Sequence, residues 1–286
     1  MKPVLRLALQ KSGRLSEDSL QLLKDCGLQF GRMSNRLKVQ AYNFPIEFLY
    51  LRDDDIPGYV EDGVADIGIA GENVVVEKKK DVELVERLGF SRCRLSVAVP
   101  KAMPFEDAAA LEGLNIATSY PVILQQFLDK NNIAAAIHEI SGSVEIAPSI
   151  GLAEAICDIV SSGSTLLGNG LKEVLTIFQS EAVLIAGKAL SDEKQKIVEA
   201  LRFRMQSVLR ARNYKYIILN VPNAKIDRVC ELLPGMKSPT VTPLAREGWS
   251  SLYSVVKEND FWNVIENLRD EGCEGILVVA IEKMVL

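Results

Sequence analysis

Histidine is almost absent from this chain of 286 residues; His138 is the only one. Zinc sites of the histidine-rich kinds are therefore not expected. A Ser-His-Asp mechanism would rest on a residue that follows Ala134-Ala135-Ala136-Ile137 in a strand-like run, where an ordinary half-exposed histidine is the simpler reading. Cysteine is scarce as well. Cys26, Cys93, Cys157, Cys230 and Cys273 are scattered, odd in number and without a C-x-x-C pair, which fits reduced thiols rather than a disulfide framework. No apolar run approaches membrane-spanning length. Met1-Lys2-Pro3 leads into a short apolar strand and then Lys11 and Arg14, without the apolar region and cleavage site of a secretory signal. A cytosolic, reduced setting is the expectation. Basic excess is missing too: 33 Lys and Arg stand against 38 Asp and Glu, a net charge of -5. That argues against a general nucleic-acid binder. It leaves a small anionic ligand open, because local donors hold such a ligand. No internal repeat or low-complexity tract is visible.

What the chain does have is a hydrophobic share of 48% with 25% charged residues, enough for real cores in two or three domains. Short apolar runs alternate with helical patterns. Val4 to Leu9 reads as a strand; Ser16 caps the helix that follows, and Gly27 stops it. Strands are expected at 36–41, 46–51 and 65–69, with a helix after Asp54 or Asp55 carrying Pro57 in its first turn. A second α/β series runs through 95–99, 114–118, 137–140, 156–160 and 174–177, and 182–185 returns to the first. The alternation favours largely parallel sheets with helices on both faces. Two such lobes joined by crossing connections place a cleft between them. Ser191 to Arg212 reads as one long helix with Ile197, Leu201, Met205 and Val208 on a stripe. The remainder, 213–286, has the order βαββαβ, the ferredoxin-like arrangement.

Several segments hold residues suited to chemistry. In Asp158-Ile159-Val160-Ser161-Ser162-Gly163-Ser164-Thr165 an apolar strand ends in four hydroxyl residues around one glycine, and a helical stretch follows. Such a loop offers backbone N–H groups, hydroxyl donors and a close backbone approach to one anion. Asp158 can accept from vicinal ribose hydroxyls, so loop and acid together suit a sugar 5-phosphate; a serine-rich turn is the plainer alternative. It is not a P-loop, since no G-x-x-x-x-G-K-[ST] occurs. Lys11, Gly13 and Arg14 follow the first strand, where phosphates favour the carboxyl ends of open α/β sheets. Taken alone, they also fit a solvated basic loop. Asp66-Ile67-Gly68-Ile69-Ala70-Gly71-Glu72-Asn73 suits a base, a ribose or, through Glu72, a cation; a tight strand-to-helix turn explains it equally. Arg52-Asp53-Asp54-Asp55 suits Mg²⁺ or a helix cap, and Glu145 in Gly142-Ser143-Val144-Glu145 is a further cleft candidate.

Taken in order, QKSGRLS (10–16), RDDDIPG (52–58), ADIGIAGEN (65–73), CRLSVAVP (93–100), IATSYP (116–121), GSVEIAPSIGLAEAICDIVSSGSTL (142–166), NGL (169–171), LPGMKSPTVTPLA (233–245) and IEKM (281–284) resemble the ATP phosphoribosyltransferase family in its long form. The resemblance spans nearly the whole chain. It implies a two-lobed catalytic region like the periplasmic binding proteins, with lobe I at 1–90 plus a return segment 178–212, and lobe II at 91–177. A regulatory domain at 213–286 is expected to bind histidine as inhibitor. The implied partners are ATP and phosphoribosyl pyrophosphate, with Mg²⁺ and no nucleic acid or membrane, in a homo-oligomer that shifts between dimer and hexamer. Carried over, Ser161, Ser162, Gly163, Ser164 and Thr165 hold the 5-phosphate and Asp158 the ribose hydroxyls. Lys11, Gly13 and Arg14 face phosphates, with Asp66, Glu72, Tyr120 and Glu145 nearby. Asn220 and Thr240 fall where histidine contacts are expected, and the metal ligands are unassigned.

Overall fold

The computed structural model describes residues 3–31, 37–160, 163–233 and 235–285. They form two compact units, Met1–Glu199 and Ala200–Leu286. In the first unit, β1 (Leu5–Gln10) is an apolar run with Leu5, Leu7 and Leu9 fully buried. It lies between two parallel neighbours, and burial on both faces explains its lack of polar alternation. α1 (Arg14–Asp25), β2 (Lys38–Gln40) and β3 (Ile46–Leu51) follow. A 3-10 turn over Asp53–Asp55 leads into α2 (Ile56–Glu61), then come β4 (Ile67–Gly71), α3 (Glu72–Lys78) and β5 (Val82–Arg87). The helix α2 presses on β4 at Gly68, where an added Cβ would stand 2.6 Å from Ile56. Only glycine fits that approach.

The chain then crosses into a second sheet through β6 (Cys93–Pro100), β7 (Asn115–Thr118), α4 (Pro121–Asn131), β8 (Ala136–Glu139), β9 (Ala155–Val160), α5 (Ser164–Gly168) and β10 (Leu171–Ser180). It returns through β11 (Ala182–Gly187) before the long α6 (Asp192–Arg212). The first sheet has the order β2-β3-β1-β4-β11-β5 and the second β10-β6-β9-β7-β8.

Both sheets are mixed, which corrects the expectation of largely parallel ones. Among the described residues only β1 with β3 and β4, and β7 with β8 and β9, pair in parallel. The cause is the double crossing. β6 and β11 each enter their sheet from the edge at which the parallel strands leave it, so both run antiparallel to their neighbours. Ser16 is not a cap: α1 starts two residues earlier, behind Gly13 at φ 95°, and Ser16 is buried within it. Strand β5, with the sequence VELVER, has no counterpart in the sequence reading.

The second unit is a four-stranded antiparallel sheet with the order β13-β14-β12-β15. Its elements are β12 (Tyr214–Pro222), α7 (Ile226–Leu232), β13 (Thr240–Pro243), β14 (Trp249–Lys257), α8 (Phe261–Asp270) and β15 (Glu274–Ala280). That is the ferredoxin-like connectivity read from the sequence. Ile217, Leu219 and Val221 form its core with Val229 and Leu268 from the two helices. The division between units falls inside α6 rather than at 212. The later part of this helix belongs with the second unit, as in the 2.8 Å bond from the Met284 N–H to the Ser207 carbonyl.

Candidate active site

Because β1, β3 and β4 are parallel, their carboxyl ends share one edge of the first sheet. The residues that follow them crowd that edge: Lys11 to Arg14, Asp53 to Asp55, and Glu72 with Asn73. In the second sheet β7 and β9 likewise end together, delivering Ser119 and Tyr120 beside Gly163 to Thr165. Side chains tie the two edges to each other. Asn73 Nδ2 donates to the Tyr120 hydroxyl at 3.3 Å. The Ser180 hydroxyl donates to Asn73 Oδ1 at 2.8 Å and accepts from the Asn73 N–H at 3.0 Å. Glu77 of α3 accepts from the Val122 and Ile123 N–H groups at 2.9 and 3.0 Å. The first turn of α4, in one lobe, is thus capped by a carboxylate from the other.

On the second lobe, a cavity of about 250 Å³ is lined by Glu145, Asp158, Gly163 and Thr165. Gly163 adopts φ 78° ahead of α5, a left-handed turn that glycine enters without strain. Burial pushes the Asp158 carboxyl above its usual range; the Ile159 N–H opposes this and the Glu145 carboxylate reinforces it. Among the described residues no cation pairs with either of these two carboxylates, a donor set suited to a cation with oxygen ligands or to sugar hydroxyls. The Tyr120 hydroxyl is also pushed up, by burial first and by Asp158 next. Ser164 opens α5. Ser161 and Ser162 lie outside the described residues.

The other candidates divide. Gly13 precedes α1, and its exposed neighbours Lys11 and Arg14 stand at the same edge, Arg14 beside Asp18 at 3.8 Å. Glu72 is engaged by Arg87 in a two-pronged ion pair. It lines a cavity of about 460 Å³ where the chain crosses between lobes, together with Arg92, Cys93, Arg94 and Ser180. Asp66 is the correction. It precedes β4, at the opposite end of that strand from Glu72, and is nearly buried. Its carboxylate accepts from the Arg6 N–H at 2.8 Å, from Arg6 Nη2 at 2.9 Å and from Lys194 Nζ at 2.8 Å. The sheet places it away from the cleft and makes it an internal counter-ion.

Sequence reasoning passed over Asn73 as an individual residue, although the ADIGIAGEN segment ends on it, and Ser180, Glu77 and Arg87 altogether. Nothing local marks these; their roles come from the meeting of two lobes. Among the described residues no group of three His, Cys, Asp or Glu side chains is placed to hold a metal ion, and no helix is long and apolar enough to cross a membrane. In the second unit, Asn220 and Thr240 lie on the sheet face turned away from α7 and α8, opposite Ser251 and Tyr253 respectively.

The model of the ATP phosphoribosyltransferase family matches residues 52–207, and that of its C-terminal domain matches 211–283. The chain belongs to this family. It is therefore a pentosyltransferase of histidine biosynthesis, acting at the first step, with ATP and phosphoribosyl pyrophosphate as substrates. An ATP phosphoribosyltransferase of Cytophaga hutchinsonii is 62% identical over 285 residues, covering 100% of both chains. One from Phocaeicola vulgatus is 53% identical, covering 99% of this chain and 100% of its own. Among solved structures, the ATP phosphoribosyl transferase (HisG:HisZ) complex from Thermotoga maritima superposes with a TM-score of 0.60 at 29% identity, over 71% of this chain and 99% of that one. A periplasmic sulfonate-binding protein from Methylobacillus flagellatus shares the fold alone, with a TM-score of 0.50 at 14% identity over 71% of this chain and 67% of its own. The fold class is thus the two-lobed, periplasmic-binding-protein-like one, followed by the family's C-terminal domain.

Proposed function

We propose that the enzyme joins N1 of the ATP adenine to C1 of the ribosyl group of phosphoribosyl pyrophosphate, releasing pyrophosphate. The supporting observation is the cavity on the second lobe, where Glu145, Asp158, Gly163 and Thr165 come together. Gly163, Ser164 and Thr165, with Ser161 and Ser162, take the 5-phosphate. Asp158 accepts from the ribose hydroxyls. Lys11, Gly13 and Arg14 face the diphosphate from the other lobe, where positive charge and the start of the twelve-residue α1 favour an anion. Glu72 and Tyr120 border the nucleotide.

Adenine N1 carries a free lone pair, so attack needs no prior deprotonation, which suits a chain with a single histidine. The leaving diphosphate takes the bonding electron pair, and the ribosyl carbon passes through a cationic state that Glu145 and Asp158 steady. Rate then comes from positioning and from fixed charges facing developing ones. The divalent metal this family requires is Mg²⁺ in this reading, and it would neutralise diphosphate charge. Glu145 and Asp158 fit it, because Mg²⁺ takes one or two carboxylates and otherwise phosphate and water oxygens. Histidine inhibits through the C-terminal unit by way of Asn220 and Thr240. The chain works in the cytoplasm as a homo-oligomer, a dimer in its active form and a hexamer when inhibited, and engages neither nucleic acid nor membrane.

The test is pyrophosphate release from ATP, phosphoribosyl pyrophosphate and Mg²⁺, with other purine and pyrimidine acceptors in parallel. Release with ATP alone supports the assignment. Release with a different base, or binding of phosphoribosyl pyrophosphate without turnover, overturns it.

A further inference from the structure

Two contacts between the lobes share one face of one short helix. In α3, Asn73 and Glu77 stand four residues apart, so their side chains project on the same side. Both reach the start of α4 on the second lobe. Asn73 Nδ2 donates to the hydroxyl of Tyr120, the residue before that helix, and Glu77 accepts from the Val122 and Ile123 N–H groups inside its first turn.

Helix chemistry explains why these partners meet. Pro121 brings no N–H to the first turn of α4, and the N–H groups of Val122 and Ile123 have no acceptor within the helix. A carboxylate is favoured at that place, yet α4 has no acid of its own in its first turn. Glu77 supplies one from the other lobe. Tyr120 is held from behind, its N–H donating to the buried Thr118 hydroxyl at 2.9 Å.

Asn73 is fixed on its own side as well. It is buried, and its N–H and Oδ1 both bond to Ser180, where the chain crosses back to the first lobe. The neighbouring Glu72 N–H donates to the Glu181 carbonyl at 2.9 Å. An added Cβ at Gly71 would stand 2.5 Å from Asn73 Oδ1, so glycine there leaves the amide its place. With α3 pinned at its start, one turn of helix carries both side chains to α4 together. Parting the lobes would release a helix start, a tyrosine hydroxyl and a carboxylate at once.

Each lobe carries a different part of the proposed site: Gly163 to Thr165 beside Tyr120 on the second, Lys11 to Arg14 on the first. Resting on the reading that phosphoribosyl pyrophosphate touches both parts, the separation of the lobes decides whether one molecule reaches both. A chain already closed spends none of its substrate binding on closure.

We propose that Asn73 and Glu77 form one clasp on α4 that keeps the lobes closed before substrate arrives, and that both are positioning residues for the transfer. They act through Tyr120 and the start of α4 and touch no reacting atom. A substrate that bridges the lobes binds in proportion to the closed fraction of chains. Loss of the clasp therefore raises its KM and leaves kcat at saturation in place, because bound substrate closes the lobes again.

The test follows amide exchange and steady-state rates in the full chain and in Asn73→Ala, Gly71→Ala and Glu77→Gln. In the ligand-free parent the Val122 and Ile123 amides should be protected. Asn73→Ala and Gly71→Ala keep Glu77, yet each should raise exchange at those two amides about fivefold or more, and saturating phosphoribosyl pyrophosphate should restore the protection. In all three variants the KM for phosphoribosyl pyrophosphate should rise by a similar factor, with kcat within about twofold of the parent. Unchanged exchange in Asn73→Ala shows two independent contacts and overturns the clasp. A fall in kcat with KM unaltered marks Asn73 as structural and overturns it too. Should Asn73→Ala not fold, Gly71→Ala decides by the same readings. A parent chain that releases no pyrophosphate from ATP ends the reaction reading, and the exchange measurement still judges the clasp.

Discussion

Replacing Asp66 by Asn leaves the shape of the side chain and removes its charge. In the folded chain this carboxylate takes hydrogen bonds from the Arg6 N–H, from two guanidinium nitrogens of Arg6 and from Lys194. Its side chain is 5% exposed, while those of Arg6 and Lys194 are 35% and 24% exposed. Breaking a fully buried pair by removing one partner costs about 3–5 kcal/mol. Here both cations keep some access to water, so the lower end, about 3 kcal/mol, is the reasoned figure. For a chain of this size that lowers the melting temperature by roughly 10 °C. The pH dependence has a defined sign. Burial alone would raise the carboxyl, but the bonds from Arg6 and Lys194 win and hold it below its ordinary value of 3.8. Its contribution is complete above that value and disappears as pH falls through the lowered one. The gap between parent and variant should therefore be constant from pH 5 to 8 and close only in acid. Differential scanning fluorimetry across that range, with both Michaelis constants measured at pH 8, provides the check. A melting temperature within about 2 °C of the parent, together with a tenfold rise in the KM for either substrate, would return Asp66 to the cleft and refute the argument from sheet polarity.

Thr165→Val removes one hydroxyl donor from the cavity proposed to take the 5-phosphate. A hydrogen bond to a charged group is worth about 1.5–3 kcal/mol, so the KM for phosphoribosyl pyrophosphate should rise at least tenfold and that for ATP far less. Equal constants for both substrates before and after would remove the loop from the site. Glu77→Gln keeps the shape of the interlobe cap and discards its charge. It should destabilise the ligand-free chain by about 1 kcal/mol and raise the solvent exchange of the Val122 and Ile123 amides, with unchanged exchange counting against the cap. In the C-terminal unit, Asn220→Ala and Thr240→Val should weaken histidine inhibition about fivefold or more each without lowering turnover. Full inhibition in both would place the effector elsewhere.

Local pattern explains why so much of the architecture was legible. Runs such as LRLALQ and AVLIAG are short and apolar, which fits strands buried on both faces, and the βαββαβ tail follows from turn residues and period. Strand direction was not legible in the same way. Whether β6 and β11 run with or against their neighbours depends on which edge the chain enters after crossing from the other lobe, and no residue in either strand records that edge. VELVER escaped notice because its charged residues make it look like loop, although it is an edge strand whose side chains are mostly exposed or half-buried. The candidate loop at 158–165 stands out because hydroxyls, glycine and a strand end lie within one short segment.

The acids show where reading a segment stops being enough. Asp53, Asp66 and Asp158 all sit beside strand ends in similar polar company, and each sequence window permits a ligand role. What separates them is the supply of donors from far along the chain. Asp66 receives Arg6 from 60 residues away and Lys194 from 128, and is satisfied without a substrate. Asp158 shares a cavity with Glu145, and among the described residues no cation pairs with it. Asp53 has a buried oxygen that receives no hydrogen bond from the described residues. The difference in donor supply, visible only in three dimensions, is what marks Asp66 as a satisfied counter-ion and separates it from Asp53 and Asp158.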